Sequence, residues 1–398
     1  MNNFYKCRVC GSDNIEIFFI KEDTFFWYGF ENDYLKEKLN PKKMKASIYS
    51  CQNCGFIGLE VNEILINMVN IFYNSPFSKP GTTHGQNSNY SKKMTEDFFC
   101  YYRELAGKWI PKSVLEIGCQ SGYLLYIFRE MGSSYVTGIE PGNIDPYVGR
   151  DGYIVEVHRG FLSHDIIDKK NFELIVCLYV LEHIDDIKNF LSIIYELLAP
   201  KGRVLISVPN EYYSLSDGNI GMLILQHFNY FTPDSLTTTL NNNGFNILKI
   251  ISNRKKGLYV LAEKGDQFNG NYSLNKQKRN EIKLLTDSYS KRVDLKLNKI
   301  NSITEIQNGS IGLYGINCSM PNIFSWIPDL RNRKIFIYDS DSLKWNKYFS
   351  GVPFSVNPPE KLDLVDKVLV VPYRLQEEIY TFLLKKAHSN TEIIKLYD

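Results

Sequence analysis

The stretch Val114-Leu115-Glu116-Ile117-Gly118-Cys119-Gln120-Ser121-Gly122-Tyr123-Leu124-Leu125 reads as an apolar strand that enters a glycine-containing turn and then a helix. Gly118 and Gly122 let a ligand approach the backbone at the strand's carboxyl end, where open α/β sheets gather their sites. Outward from this stretch, β-branched apolar runs alternate with helical periodicity from Ser113 to Glu263. The pattern predicts a largely parallel sheet with helices on both faces. Its strands fall at Val114–Ile117, Tyr135–Ile139, Tyr153–Val157, Leu174–Leu178 and Arg203–Val208, followed by Asn246–Ile251 and Gly257–Ala262.

The turn differs from the GxGxxG of a dinucleotide site, because it reads ExGxxxG. Glu116, near the strand's end, repels a pyrophosphate and attracts an ammonium group. Glu140 follows Gly118 by 22 residues (140 − 118) and ends the second strand, where a carboxylate accepts both ribose hydroxyls of an adenosine. An adenosine bearing a cationic amino acid, S-adenosylmethionine, satisfies both acids better than NAD does.

At 398 residues the chain exceeds one ordinary core, and a Lys/Asn-rich segment from Phe268 to Thr304 separates two unequal parts. Beyond it, Ser310–Ile316, Lys334–Tyr338, Val368–Val371 and Glu392–Leu396 repeat the strand pattern around the helix Gln376–Lys386, which predicts a second, smaller α/β domain. With 44% hydrophobic and 23% charged residues the chain has the composition of a folded protein. Its net charge of +2 lacks the basic excess that gathers phosphate backbones, so no nucleic-acid partner is expected. No apolar run reaches the ~18 residues of a membrane helix, and the start lacks a secretory pattern. The reading is a soluble, cytoplasmic protein with a small-molecule substrate.

Four of the eight cysteines form two CxxC pairs, Cys7/Cys10 and Cys51/Cys54, each followed by a glycine, Gly11 or Gly55. Two such knuckles complete the tetrahedral four-thiolate cage that Zn²⁺ prefers. A closed cage has no open coordination position, so this zinc is expected to be structural. Cys100, Cys119, Cys177 and Cys318 lack partners at ligand spacing and read as ordinary thiols.

With Val180-Leu181-Glu182-His183-Ile184-Asp185-Asp186 after the fourth strand and Leu225-Gln226-His227-Phe228-Asn229-Tyr230-Phe231-Thr232 further on, the chain resembles the class I S-adenosylmethionine-dependent methyltransferases, and within them the sugar C-methyltransferases. The CxxC pairs, the EIG-x-x-x-GYLL loop, Tyr338-Asp339, Gly351-Val352-Pro353 and Val371-Pro372-Tyr373 carry the same resemblance. It implies a zinc-binding module over residues 1–70, a methyltransferase core with a Rossmann-like seven-stranded sheet over 71–265, a helical connector over 266–305 and a Rossmann-like domain over 306–398. It further implies methyl transfer to a nucleotide-linked sugar, with Glu116, Gly118, Cys119, Gln120, Gly122, Tyr123, Glu140 and Pro141 against the cofactor. His183 and His227 each follow a strand's carboxyl end and are the candidate bases, with Tyr73 and Gln226 beside them on the acceptor side. The other histidines, His84, His158, His164 and His388, read as surface or loop residues.

The chain departs from the family where a tyrosine and a glutamate are expected, which here are Ile224 and Gln226. Glutamine carries no proton for a neighbour and isoleucine has no phenol to steady an enolate, so O- or N-methylation rivals C-methylation. In the last domain, Gly312-Leu313-Tyr314-Gly315-Ile316-Asn317 opens a similar turn, but Ser319-Met320-Pro321 replaces the usual Lys-Gly, and Pro321 removes an amide that a phosphate could use. That domain is expected to wall the substrate cleft, with Asn317 and Asp339 as sugar-contact candidates. The departures also support a reading as a non-catalytic scaffold on the same fold, which the intact Glu116 and Glu140 oppose. A zinc-dependent nucleic-acid modifier is a third reading, against which the charge stands.

Overall fold

The computed structural model describes residues 6–39, 43–75, 89–167, 171–255, 257–265, 273–305, 309–386 and 391–397. Residues 266–272 of the expected connector, 306–308 of the expected last domain, His84 and His388 lie outside them. The chain forms two compact units, each discontinuous in sequence. One comprises Met1–Glu16, Tyr49–Asn210 and His227–Ile282, and the other Ile17–Ile48, Glu211–Gln226 and Lys283–Asp398.

The first unit is an α/β layer structure built on a mixed seven-stranded sheet. Its strands are β1 (Ser113–Ile117), β2 (Tyr135–Glu140), β3 (Glu156–Arg159), β4 (Phe172–Leu178), β5 (Leu198–Val208), β6 (Phe245–Asn253) and β7 (Gly257–Lys264). They lie in the order β6-β7-β5-β4-β1-β2-β3, with β1 to β5 parallel and β7 antiparallel to both β5 and β6. The chain runs outward from β1 to β2 and β3, then returns to β4 on the other side of β1. That reversal opens a crevice at the carboxyl ends of β1 and β4.

Strand alternation divides the core. Leu115, Ile117, Ile175 and Cys177 face the buried side of the helix Ile187–Leu197, whereas Val114, Leu174 and Val176 face Leu124, Leu125 and Phe128 of the helix Tyr123–Glu130. Both faces of the strands are covered, which is why they read as continuous apolar runs. β3 forms three residues later than the alternation suggests. Tyr153 and Val155 turn back on the preceding loop, where the Gly149 N–H donates to the Tyr153 carbonyl (2.8 Å) and the Val155 N–H to the Tyr147 carbonyl (3.1 Å). Val155 is buried there against Gly122. A short strand, Ile57–Leu59, pairs antiparallel with Asn229–Tyr230.

The second unit contains a parallel sheet of β8 (Ile311–Tyr314), β9 (Ile335–Tyr338), β10 (Val356–Asn357), β11 (Lys367–Val370) and β12 (Glu392–Lys395), in the order β10-β9-β8-β11-β12. β10 is two residues long, too short for periodicity to reveal. The helix Lys276–Thr304 is 29 residues long, and within this unit it buries Thr286, Tyr289, Val293, Leu297 and Ile300 along one stripe. Among the described residues no helix is long and apolar enough to cross a membrane.

Candidate functional site

The turn after β1 winds through left-handed backbone at Gly118 (φ 75°), Gln120 (φ 52°) and Gly122 (φ 83°). Glycine is required at the first of these: a Cβ on Gly118 would stand 2.6 Å from Val180 Cγ2. The Gly118 and Cys119 N–H groups both donate to the Ile139 carbonyl, at 2.8 and 3.2 Å, which ties the turn to the end of β2. Cys119 is buried against Gly138 of β2, where an added Cβ would lie 2.3 Å from its sulfur. Gly138 gave no local signal, since its need for smallness comes from a neighbouring strand. Tyr123 packs its ring 4.9 Å from Tyr147, and the Tyr147 N–H donates to the Ser121 carbonyl at 2.7 Å. Pro141 follows Glu140 directly and is half-buried.

Glu140 is 3% exposed and its two carboxylate oxygens accept the N–H groups of Gln120 (2.9 Å) and Gly142 (2.6 Å). Each oxygen keeps a lone pair for a hydroxyl donor. Burial raises its pKa above the usual carboxylate value, opposed by those two amides and by Arg159. Glu116 is 5% exposed, and its Oε2 has no hydrogen-bond partner among the described residues. Burial, and then the charge of Glu140, push its pKa well above the usual value. A buried acceptor without a donor beside a carboxylate with spare lone pairs fits a ligand that brings both a cation and a vicinal diol.

His183 stands on a single 3₁₀ turn, Leu181–His183, that follows β4. Its ring centroid lies 4.7 Å from that of His227, in an edge-on arrangement, and 5.9 Å from that of Tyr73. Tyr73 also lies edge-on to Phe161 at 6.4 Å. Burial raises the Tyr73 phenol pKa, with Glu182 and Glu140 adding to the effect, so this hydroxyl lies within electrostatic reach of both the histidine turn and the end of β2. Residues separated by more than 150 positions (227 − 73) thus meet at one place. Gln226 does something different: it is buried and its amide donates to the Trp27 carbonyl. Asn317 and Asp339 are engaged locally. The Asn317 side chain accepts the Ser319 N–H (3.0 Å), and Asp339 accepts the Ile316 (3.0 Å) and Asp341 (2.9 Å) N–H groups and pairs with Lys344 at 3.0 Å.

Two residues that periodicity and spacing did not reveal hold this arrangement. The Asn229 amide donates to the carbonyls of Leu181 (2.8 Å) and Ile184 (2.7 Å), which clamps the turn carrying His183. Arg8 donates to the Phe228 carbonyl and, at 3.1 Å, to that of Leu59. Arg8 lies inside the first CxxC pair. The Sγ atoms of Cys7 and Cys54 are 3.5 Å apart and those of Cys10 and Cys51 3.6 Å, close to the roughly 3.8 Å edge of a tetrahedron with ~2.3 Å Zn–S bonds. Both knuckles close alike, the Gly11 N–H donating to the Cys7 carbonyl (2.8 Å) and the Gly55 N–H to the Cys51 carbonyl (2.9 Å). The donor set fits a structural zinc ion.

Residues 92–250 match the protein family described as "Methyltransferase domain". A C-methyltransferase of Streptomyces niveus, NovU, is 27% identical over 141 residues, covering 34% of this chain and 33% of the relative. A ubiquinone biosynthesis O-methyltransferase of Pseudomonas paraeruginosa is 30% identical over 107 residues, 25% of this chain and 45% of the relative. A probable S-adenosylmethionine-dependent methyltransferase of Mycolicibacterium smegmatis is 27% identical over 147 residues, 37% of this chain and 56% of the relative. The chain spans little more than half, or less, of the length of these curated relatives. Residues 92–250 carry a methyltransferase domain.

Proposed function

We propose that this protein transfers a methyl group from S-adenosylmethionine to a sugar, in its activated form a nucleotide-linked sugar, with residues 1–70 as a zinc module, 71–265 as the catalytic core, 266–305 as a connector and 306–398 as a second, Rossmann-like domain. The observation that carries this reading is the approach of Tyr73 to His183, ring centroids 5.9 Å apart, with the His183 ring in turn 4.7 Å from that of His227.

When bound, the cofactor supplies an electrophilic sulfonium methyl. Glu140 would accept its ribose hydroxyls and Glu116 would face its ammonium group, while Gly118, Cys119, Gln120, Gly122, Tyr123 and Pro141 would form the surrounding wall. His183 and His227 hold the acceptor in line, and one imidazole takes the proton that the acceptor oxygen or nitrogen loses as its bond to the methyl forms. The amide of Gln226 is committed to the Trp27 carbonyl and cannot relay a proton, which favours O- or N-methylation over carbon methylation through an enolate. The four cysteines hold Zn²⁺ structurally. Free thiols at this spacing suit a reducing cytoplasm, where we place the protein.

The test is calorimetric titration of the zinc-loaded protein with S-adenosylhomocysteine, followed by product mass analysis with hydroxy-, amino- and keto-sugar nucleotides. Micromolar binding and a gain of one methylene mass on a sugar nucleotide support the reading. Absence of binding by folded protein overturns it in favour of a non-catalytic scaffold.

A further inference from the structure

His183 and His227 serve above as candidate bases, and with Glu182 they also form a second constellation. One carboxylate oxygen and one nitrogen from each imidazole all lie within 4.8 Å of one another. Glu182 is 1% exposed, so its carboxylate is held inside the unit and away from bulk water. The two rings stand nearly perpendicular at 79° with centroids 4.7 Å apart. Two imidazoles that bind one ion at ~2.1 Å with adjacent coordination positions place their centroids at roughly this distance.

The three ligands are also fixed from behind. The Phe228 N–H, next to His227, donates to the Glu182 carbonyl at 2.7 Å, and the His183 N–H donates to the Val180 carbonyl at 2.9 Å. Asn229 clamps the Leu181 and Ile184 carbonyls on either side of Glu182 and His183. Tertiary bonds to the backbone thus join the two segments that carry the three donors. Outer contacts of this kind are what a metal site needs to keep its ligands converged.

We propose that Glu182, His183 and His227 bind a divalent transition-metal ion at the acceptor side of the methyltransferase domain. Two imidazoles and one carboxylate suit borderline ions such as Zn²⁺ and Fe²⁺ and also accommodate the harder Mn²⁺, and three protein donors leave positions open for water or for acceptor oxygens. The inference rests on the proposed function only in taking this pocket as the acceptor's. It changes one assignment there: with the ion bound, the imidazoles are ligands, and the ion would lower the pKa of a coordinated acceptor hydroxyl so that its proton leaves to solvent water rather than to a histidine. An acceptor with two adjacent oxygens is the class such a site would select.

The probe is MnCl₂ added to the full-length protein carrying one zinc per chain, because Mn²⁺ has little affinity for the thiolate cage. Electron paramagnetic resonance of free Mn²⁺ should report uptake of one ion per chain at micromolar concentration. Glu182→Gln and His227→Ala should each weaken uptake at least tenfold while S-adenosylhomocysteine affinity stays within threefold. No stoichiometric uptake, or uptake in both variants undiminished from that of the unaltered protein (an adventitious ion only), overturns the proposal. A second measurement needs no variant. Co²⁺ bound here should show weak visible bands without thiolate-to-metal absorption, and strong thiolate absorption would assign the ion to the cysteines and also overturn it. Failure of the methyltransferase reading shows separately, as loss of S-adenosylhomocysteine binding by the unaltered protein.

Discussion

Gly118→Ala tests the packing that joins the turn after β1 to the histidine turn. The substitution puts a methyl group 2.6 Å from Val180 Cγ2 on a backbone held at φ 75°. Left-handed backbone at a non-glycine residue costs about 1–2 kcal/mol. Overpacking a half-buried contact costs about 1–3 kcal/mol more, while the stiffer unfolded chain returns roughly 0.4–1 kcal/mol. The expected net loss of stability is about 2–4 kcal/mol, read from urea denaturation. Only the steric share depends on Val180. In a double-mutant cycle with Val180→Ala, about 1–3 kcal/mol should therefore be recovered beyond additivity, leaving the conformational share. Val180 opens the turn that carries Glu182 and His183, so Gly118→Ala should also weaken S-adenosylhomocysteine and broaden the His183 ring resonances. A variant within ~0.5 kcal/mol of the parent, or strict additivity in the cycle, would refute the reasoning.

Glu140→Ala should weaken S-adenosylhomocysteine by roughly 1–3 kcal/mol in calorimetry, the range for losing charge-assisted hydrogen bonds, and an unchanged affinity would move the ribose site elsewhere. Cys51→Ser should release zinc and lower the melting temperature while the folded fraction still binds cofactor; a retained content of one zinc per chain would show that Cys51 is not a ligand. Arg8→Ala leaves the Phe228 and Leu59 carbonyls without their guanidinium donor. It should cost about 1–3 kcal/mol and shift the His227 imidazole resonance, whereas a loss of stability with that resonance unmoved would sink its positioning role. Glu211, buried beside Ser214, has its pKa raised from 4.5 to about 6 by burial, opposed by Ser214 and Arg374. Because the folded state keeps its proton longer, stability from this group is full below pH ~4.5 and is lost as pH rises through about 6, a change of roughly 2 kcal/mol. Glu211→Gln should flatten that stretch of the stability profile and stabilise the protein at neutral pH, as unfolding curves between pH 4 and 8 would show.

Much of this was legible locally. The strand, turn and helix around Gly118 could be read because apolar runs and glycine spacing are short-range signals, and Glu140 because a strand's carboxyl end follows from where its apolar run stops. The cysteine knuckles were visible because a CxxC turn places its ligands within four residues. The third strand moved because Val155 serves a different purpose, packing under Gly122, which no alternation along its own segment records.

The sequence by itself determined the α/β class, the place of Glu116 and Glu140 near strand ends and the two CxxC pairs, since each rests on residues near one another in the chain. Only the tertiary structure decided that Ile17–Ile48 and Glu211–Gln226 cluster with Lys283–Asp398, that Gly138 must be small, and that Arg8 and Asn229 steady the histidines. It also decided that Glu182, His183 and His227 converge. Those facts depend on which strands lie side by side and on contacts across tens to hundreds of residues, and the sheet's strand order, which fixes them, follows from packing of the whole chain rather than from any one segment.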